Sequence, residues 1–139
     1  MDFRTELTPS PSSEDLDAIL KPLTEYNEAE VGPPDRIPLA ILIRDEEDKV
    51  IGGLSGYTSW GWLFTQLLFV PTRLRGQGMA ARLLDQAEAE ARRRGCNGAW
   101  IDTFNPHALR AYQNQGYEVF GELPAFVEDR TRTFLKKAL

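Results

Sequence analysis

The stretch RLRGQGMAARLL, residues 73–84, sets two arginines and two glycines directly before an apolar helical pattern. A helix N-terminus presents unpaired N–H groups and partial positive charge. Glycine there removes the Cβ atoms that would keep an anion from the backbone. Gly76 and Gly78, with Arg73 and Arg75 beside them, therefore read as a cradle for phosphate.

Two phosphate-binding signatures can be compared with it. No G-x-x-x-x-G-K-[ST] run occurs, so a P-loop is excluded. Gly76-Gln-Gly78-Met-Ala-Ala81 does fit G-x-G-x-x-A, and Asp102 follows at the distance of a ribose-binding acid. Against a dinucleotide fold, the glycines do not leave a first strand directly. Only 37 residues follow Asp102, too few for the remaining parallel strands.

Other reactive side chains are sparse. Cys96 is the one cysteine, so no internal disulfide forms, which fits a reducing cytoplasm. It reads as a buried structural thiol. His107 is the one histidine and has no Cys or carboxylate at ligand spacing, so no metal site is expected. Tyr26, Asn27, Tyr57, Trp60 and Trp62 are candidates for a pocket that takes an amine, because aromatic faces attract cations. The tryptophans equally suit a core or a dimer interface.

The elements that must position these residues follow from periodicity. Phe3, Thr5 and Leu7 alternate as in a short first strand. Ser12 and Asp15 have capping-box spacing before Leu16, Ile19, Leu20 and Leu23, an amphipathic helix kinked or cut at Pro22. Residues 38–44, 50–60 and 62–70 read as an antiparallel meander, their connections being too short for crossovers. A helix then runs from Met79 to about Arg94, closed by Gly95. Residues 98–104 form the next strand. Asn105 caps a short helix with Pro106 first and Gly116 last. Two paired strands end the chain. The order β-α-β-β-β-α-β-α-β-β is an α/β arrangement around a mixed, mostly antiparallel sheet of six to seven strands.

With 139 residues, 42% apolar and 27% charged, the chain suits one soluble domain over residues 1–139. A net charge of −5 lacks the basic face that nucleic acid needs, and is compatible with a small cationic substrate. No secretory signal and no membrane-length apolar run is read, so neither a membrane nor a nucleic acid is an expected partner.

Arg73-Leu-Arg-Gly76-Gln-Gly78 matches [RQ]-x-x-G-x-[GA], and NPHALRAYQNQGYEVFG matches N-x-x-A-x-x-x-Y-x-x-x-G-[FY]. Together with LLFVPTRLRGQGMAARLL these segments resemble the GNAT superfamily of acetyl-CoA-dependent N-acetyltransferases. YN before the first loop and YTSWGW across the hairpin resemble a small bacterial branch of it.

The resemblance implies a fold in which the strand before the glycine turn and the strand after the following helix splay apart. The pantetheine arm of acetyl-CoA would lie along Leu67, Leu68, Phe69 and Val70 as an added strand does. Its pyrophosphate would meet the backbone from Leu74 through Arg75, Gly76, Gln77, Gly78 and Met79 to Ala80, with Arg73 adding charge. A free N–H near Leu68 would polarise the thioester carbonyl. Asn105 and Ala108 would contact the cofactor, and Tyr112 stands where the family places its general acid. On the first splayed strand, where relatives often carry a glutamate base, stands Gln66, an acceptor-pocket residue that takes no proton. Asp102 on the second splayed strand is the candidate base.

The implied activity is acetyl transfer from acetyl-CoA to a primary amine of a small molecule, or of a protein lysine or N-terminus, in a cytoplasmic enzyme able to form a homodimer. No metal is implied. A CoA-binding sensor without turnover is the other reading, kept open by Gln66; a dinucleotide-binding domain is the third.

Overall fold

The structure is a computed structural model and describes residues 2–139. The chain divides into two compact units, Met1–Pro34 and Asp35–Leu139.

The first unit holds one helix, α1 (Ser13–Val31). Its start is the capping box expected from the spacing: Asp15 N–H donates to the Ser12 hydroxyl, and Ser12 N–H to the Asp15 carboxylate. The helix runs through Pro22 as one element instead of being cut there. The strand expected over Phe3, Thr5 and Leu7 does not form. A strand exists only with a neighbour to pair with, and its unit contains none.

The second unit is a six-stranded sheet with two helices. In chain order it runs β1 (Ile37–Arg44), β2 (Val50–Ser59), β3 (Trp62–Phe69), α2 (Met79–Arg93), β4 (Gly98–Thr103), α3 (Pro106–Asn114), β5 (Glu118–Val127) and β6 (Arg130–Ala138). The sheet order is β1-β2-β3-β4-β6-β5, with β3–β4 the parallel pair and every other pair antiparallel. This is the mixed α/β arrangement expected, with six strands.

The core lies between the sheet and α2. Leu83, Leu84, Ala87 and Ala91 of the helix meet Leu39, Leu54, Leu63, Ala99, Ile101 and Leu135 of the strands. Period 3.6 on α2 and period 2 on the strands bring these apolar sets to one interface. Gly98 lets the Trp62 ring lie flat on β4, since a Cβ there would stand 2.5 Å from the ring.

Two irregularities shape the sheet. Ser55 pairs with Leu67 but Gly56 pairs with Thr65, so Gln66 is an extra residue bulged out of β3. The β3–β4 ladder covers only Trp62, Leu63 and Phe64 opposite Gly98, Ala99 and Trp100. Beyond that point the two strands part. Phe64 and Trp100 stack at 4.0 Å where the ladder ends.

Gly56 is needed at the bulge, because a Cβ there would collide with the Phe64 carbonyl oxygen of the paired strand. A backbone neighbour cannot rotate away. Gly56→Ala is expected to lower stability by about 2 kcal/mol, measured by urea unfolding, whereas unchanged stability would mean that β2 and β3 are not registered as described.

Candidate active site

The parting of β3 and β4 opens a cavity of about 1040 Å³. Its walls are β3 from Thr65 to Val70, the turn and first residues of α2, the end of β4, and the inner side of α3. Phe126 and Arg132 of the last hairpin close one side.

The turn forms as its glycines demand. Gly76 and Gly78 take φ +75° and +73°, a left-handed conformation that other residues adopt at a cost. Thr72–Leu74 make a single tight turn, and Gly78 caps α2 with no side-chain acceptor. The first helical bond runs from Arg82 N–H to Gly78 O. The amides of Met79, Ala80 and Ala81 thus lack helical partners and border the cavity. Nothing lies within 4 Å of where a Cβ would sit on Gly76 or Gly78, so the space over the turn is open to a ligand.

The two arginines of the turn divide. Arg75 lines the cavity, with its Nε donating to Val70 O at 2.9 Å and its guanidinium 5.7 Å from the Phe69 ring centre. Arg73 lines a separate cavity of about 640 Å³ beside β1. Gln77 is outside the main cavity, its amide donating to Arg73 O.

On the facing wall, Asn105 caps α3, its side-chain oxygen accepting from His107 N–H and Ala108 N–H. That cap sets the rotation of the helix and turns Ala108 and Tyr112 toward the cavity. His107, exposed, borders it as well. Tyr112 is buried, and its hydroxyl bonds no other described residue. Burial, then the negative charge of Asp102, pushes its pKa up to about 12, so the phenol stays protonated throughout the neutral range.

Asp102 lines the cavity and its Oδ1 accepts from Arg132 Nε at 2.9 Å. The guanidinium lies 5.1 Å and 5.3 Å from the ring centres of Phe126 and Phe134, which fix its position. Gln66, on the bulge, borders the same space. Tyr57, Trp60 and Trp62 do not line it. Trp62 sits where β3 and β4 are still paired, and Trp60 in the turn before it. Tyr26 and Asn27 belong to α1 in the first unit.

Sequence reasoning missed Thr65 and Arg132. The Thr65 hydroxyl is buried at the start of the opening with no hydrogen-bond partner among the described residues. A buried polar atom left unpaired is uncommon and marks a place suited to a polar ligand. Its signal was a polar residue at a core-facing strand position. Arg132 carried none, since its nearness to Asp102 depends on the β4–β6 register. Among the described residues, no group of three or more His, Cys, Asp or Glu is placed to hold a metal, and no helix is long and apolar enough to cross a membrane.

The model of the acetyltransferase (GNAT) family matches residues 2–117. Acetyltransferase Atu2258 of Agrobacterium fabrum is 50% identical over 120 residues, 86% of this chain and 88% of the relative. Blasticidin-S acetyltransferase of Streptomyces morookaense is 37% identical over 95 residues, 68% of this chain and 70% of the relative. A crystal structure from Agrobacterium tumefaciens, described as an acetyltransferase, superposes with a TM-score of 0.95 at 45% identity, covering 99% of this chain and 100% of that one. An open strand pair, a glycine-built helix cap and these relatives agree: the chain belongs to the GNAT family of acetyltransferases.

Proposed function

We propose that the enzyme transfers the acetyl group of acetyl-CoA to a primary amine of a small molecule, by direct attack with both substrates bound together, in the cytoplasm. The observation that carries this reading is the end of the β3–β4 ladder at Phe64 and Trp100, on the strand that leads to the glycine turn at Gly76 and Gly78. An extended chain can lie along the unpaired edge of β3 while its phosphates reach the start of α2. The Streptomyces relative is a blasticidin-S acetyltransferase, which supports a small acceptor over a protein lysine or N-terminus.

Residues suited to hold acetyl-CoA are Leu67 to Val70 along the strand, Leu74 to Ala80 at the turn, and Asn105 and Ala108 on the opposite wall. When bound, acetyl-CoA supplies a thioester carbonyl open to attack. Tyr112 holds at its Oη the proton that a departing thiolate requires. Asp102, its Oδ1 held by Arg132, serves to draw in the amine and receive its proton through water. Gln66 on the bulge orients the acceptor. Arg73, turned to its own cavity, is left an electrostatic part only.

Thermal unfolding with acetyl-CoA, CoA, NAD and ATP tests the cofactor. A ligand that binds only the folded chain adds about 2.7 kcal/mol at 100 times its dissociation constant. Stabilisation by the CoA species alone is expected. Gly78→Glu, which sets a carboxylate into the cradle, is expected to remove that shift while lowering the ligand-free stability by about 1–2 kcal/mol for the left-handed conformation. Stabilisation by NAD, or an undiminished shift in Gly78→Glu, would overturn the assignment.

A further inference from the structure

Arg132 on β6 lines the cavity opened by β3 and β4, and it meets Asp102 through Nε alone. Its Nη1 and Nη2 bond no described residue. A guanidinium carries most of its N–H donors on those two nitrogens, so most of its binding capacity is unspent.

The arginine is held by more than its ion pair. The rings of Phe126 and Phe134 lie 5.1 Å and 5.3 Å from its Cζ, and Phe126 lies 5.8 Å from Phe104. Phe126 reaches this place through a distortion of its own strand. The β5–β6 ladder is regular at Leu123, opposite Arg132, and again at Val127, opposite Arg130. Between them Pro124, Ala125 and Phe126 stand against Thr131 alone. Ala125 is held there at φ +52°, a left-handed conformation that a residue with a Cβ adopts at a cost. A plain hairpin needs none of this. Bulges re-aim side chains, and backbone strain collects where a ligand is clamped.

Asp102 and Arg132 in contact carry no net charge. An amine drawn to the carboxylate meets the guanidinium beside it, so a simple monocation gains little from the pair. A ligand bearing both an amine and a carboxylate gains at each end. Its amine faces Asp102, and its carboxylate takes the unspent side of the planar fork. Oδ1 and Nε lie 2.9 Å apart, so the two groups of the ligand must be close neighbours, as they are in an amino acid.

We propose that Arg132 sets the class of acceptor: it binds a carboxylate that the acceptor carries beside its reacting amine, so that the acceptor is an α- or β-amino acid. This assignment rests on the acetyl-transfer reading of the same cavity. It makes Arg132 a specificity residue that touches the substrate, beyond its part in steadying Asp102.

The probes are L-amino acids, each paired with its own α-carboxamide, which keeps the amine and the side chain but not the carboxylate. Their binding is measured by titration calorimetry on the full chain saturated with CoA, which has no acetyl group to give. The acids that bind are expected to do so about tenfold or more tightly than their carboxamides. Arg132→Met is expected to bring that preference to about twofold or less. Arg132→Lys, which keeps the charge without the fork, should fall between the two. An arginine that only steadied Asp102 would weaken acid and carboxamide alike and leave their ratio unchanged.

The thermal shift with CoA, read first, keeps the two proposals apart. Its absence in the wild type would overturn the acetyl-transfer reading, and this assignment with it. With the shift present, no binding of any acid, no preference for acid over carboxamide, or a preference that survives in Arg132→Met would overturn the role of Arg132 alone. So would a CoA shift lost in an Arg132→Met chain that still unfolds cooperatively, since the arginine would then belong to the cofactor.

Discussion

Replacing Glu88 by alanine is expected to cost about 3 kcal/mol of stability, the lower end of the range for breaking a buried ion pair. Glu88 sits on the core face of α2 and is 1% exposed. One carboxylate oxygen accepts from Lys137 Nζ at 2.6 Å and the other from the Tyr117 hydroxyl at 3.0 Å. Lys137 Nζ also donates to Gln115 O at 2.8 Å, joining β6 to α2 and to the end of α3. The alanine leaves a buried phenol with no acceptor and a largely buried ammonium with the Gln115 carbonyl but no counter-charge, and both groups lose the water that solvated them in the unfolded chain.

The lower end applies because the Lys137 side chain keeps 20% of its surface in solvent. For a chain of this length the loss corresponds to a fall in Tm of roughly 10 °C. The double variant Glu88→Leu with Lys137→Met is expected to recover part of it, since two apolar groups remove both charges together while the buried Tyr117 hydroxyl still lacks its acceptor. A single variant that unfolds at the wild-type temperature would mean that the pair is open to water in solution. Differential scanning calorimetry on the three chains decides.

Glu88 also shows what can and cannot be read from a sequence. The punctuation of local structure was legible: Ser12 with Asp15, Gly78, Gly95, and Asn105 with Pro106 and Gly116 each mark a boundary near where the structure has it. Each acts through its own backbone, so its neighbours in sequence suffice. The left-handed glycine turn at Gly76 and Gly78 was legible for the same reason, and the fit of Gly76–Ala81 to a dinucleotide pattern was a coincidence of spacing, since the chain belongs to an acetyltransferase family.

Where partners are distant, the reading failed. Alternation at Phe3, Thr5 and Leu7 reports a chain able to be a strand, but a ladder also needs a neighbour. A glutamate within an apolar helix face looks solvated until Tyr117 and Lys137, 29 and 49 residues away, are brought to it. Arg132 meets Asp102 only through the β4–β6 register. Trp62 was offered to an acceptor pocket on its aromatic character, whereas its ring lies over Gly98 in the paired end of the strands. Which residue is bulged from β3, and hence that Gln66 borders the opening, depends on a register slip that no local pattern announces.

Tyr112→Phe is the substitution expected to cost most in turnover, about 100-fold or more in kcat, the scale of a positioned general acid. The ring would stay where it is, packed 6.4 Å from Tyr117 on a helix whose cap is untouched. Only the hydroxyl leaves, and it bonds no other described residue. A purely structural phenol would predict lower stability and unchanged kcat. An acid predicts the reverse: unchanged or slightly raised Tm, an acetyl-CoA KM within about threefold, and the loss confined to kcat.

The pH dependence gives an independent check. The folded pKa of about 12 lies above the ordinary value of 10, so the phenol's contribution to stability is complete below pH 10 and is lost as the pH rises toward 12. Wild-type kcat should therefore show no alkaline fall from Tyr112 below that range. Asp102→Asn removes the second of the two causes that raise the pKa, and should bring the tyrosine's titration, followed by its absorbance, to lower pH while burial still holds it above 10. If Tyr112→Phe turns over as fast as the wild type, the proton reaches the thiolate from water, and Tyr112 is a wall of the cavity and nothing more.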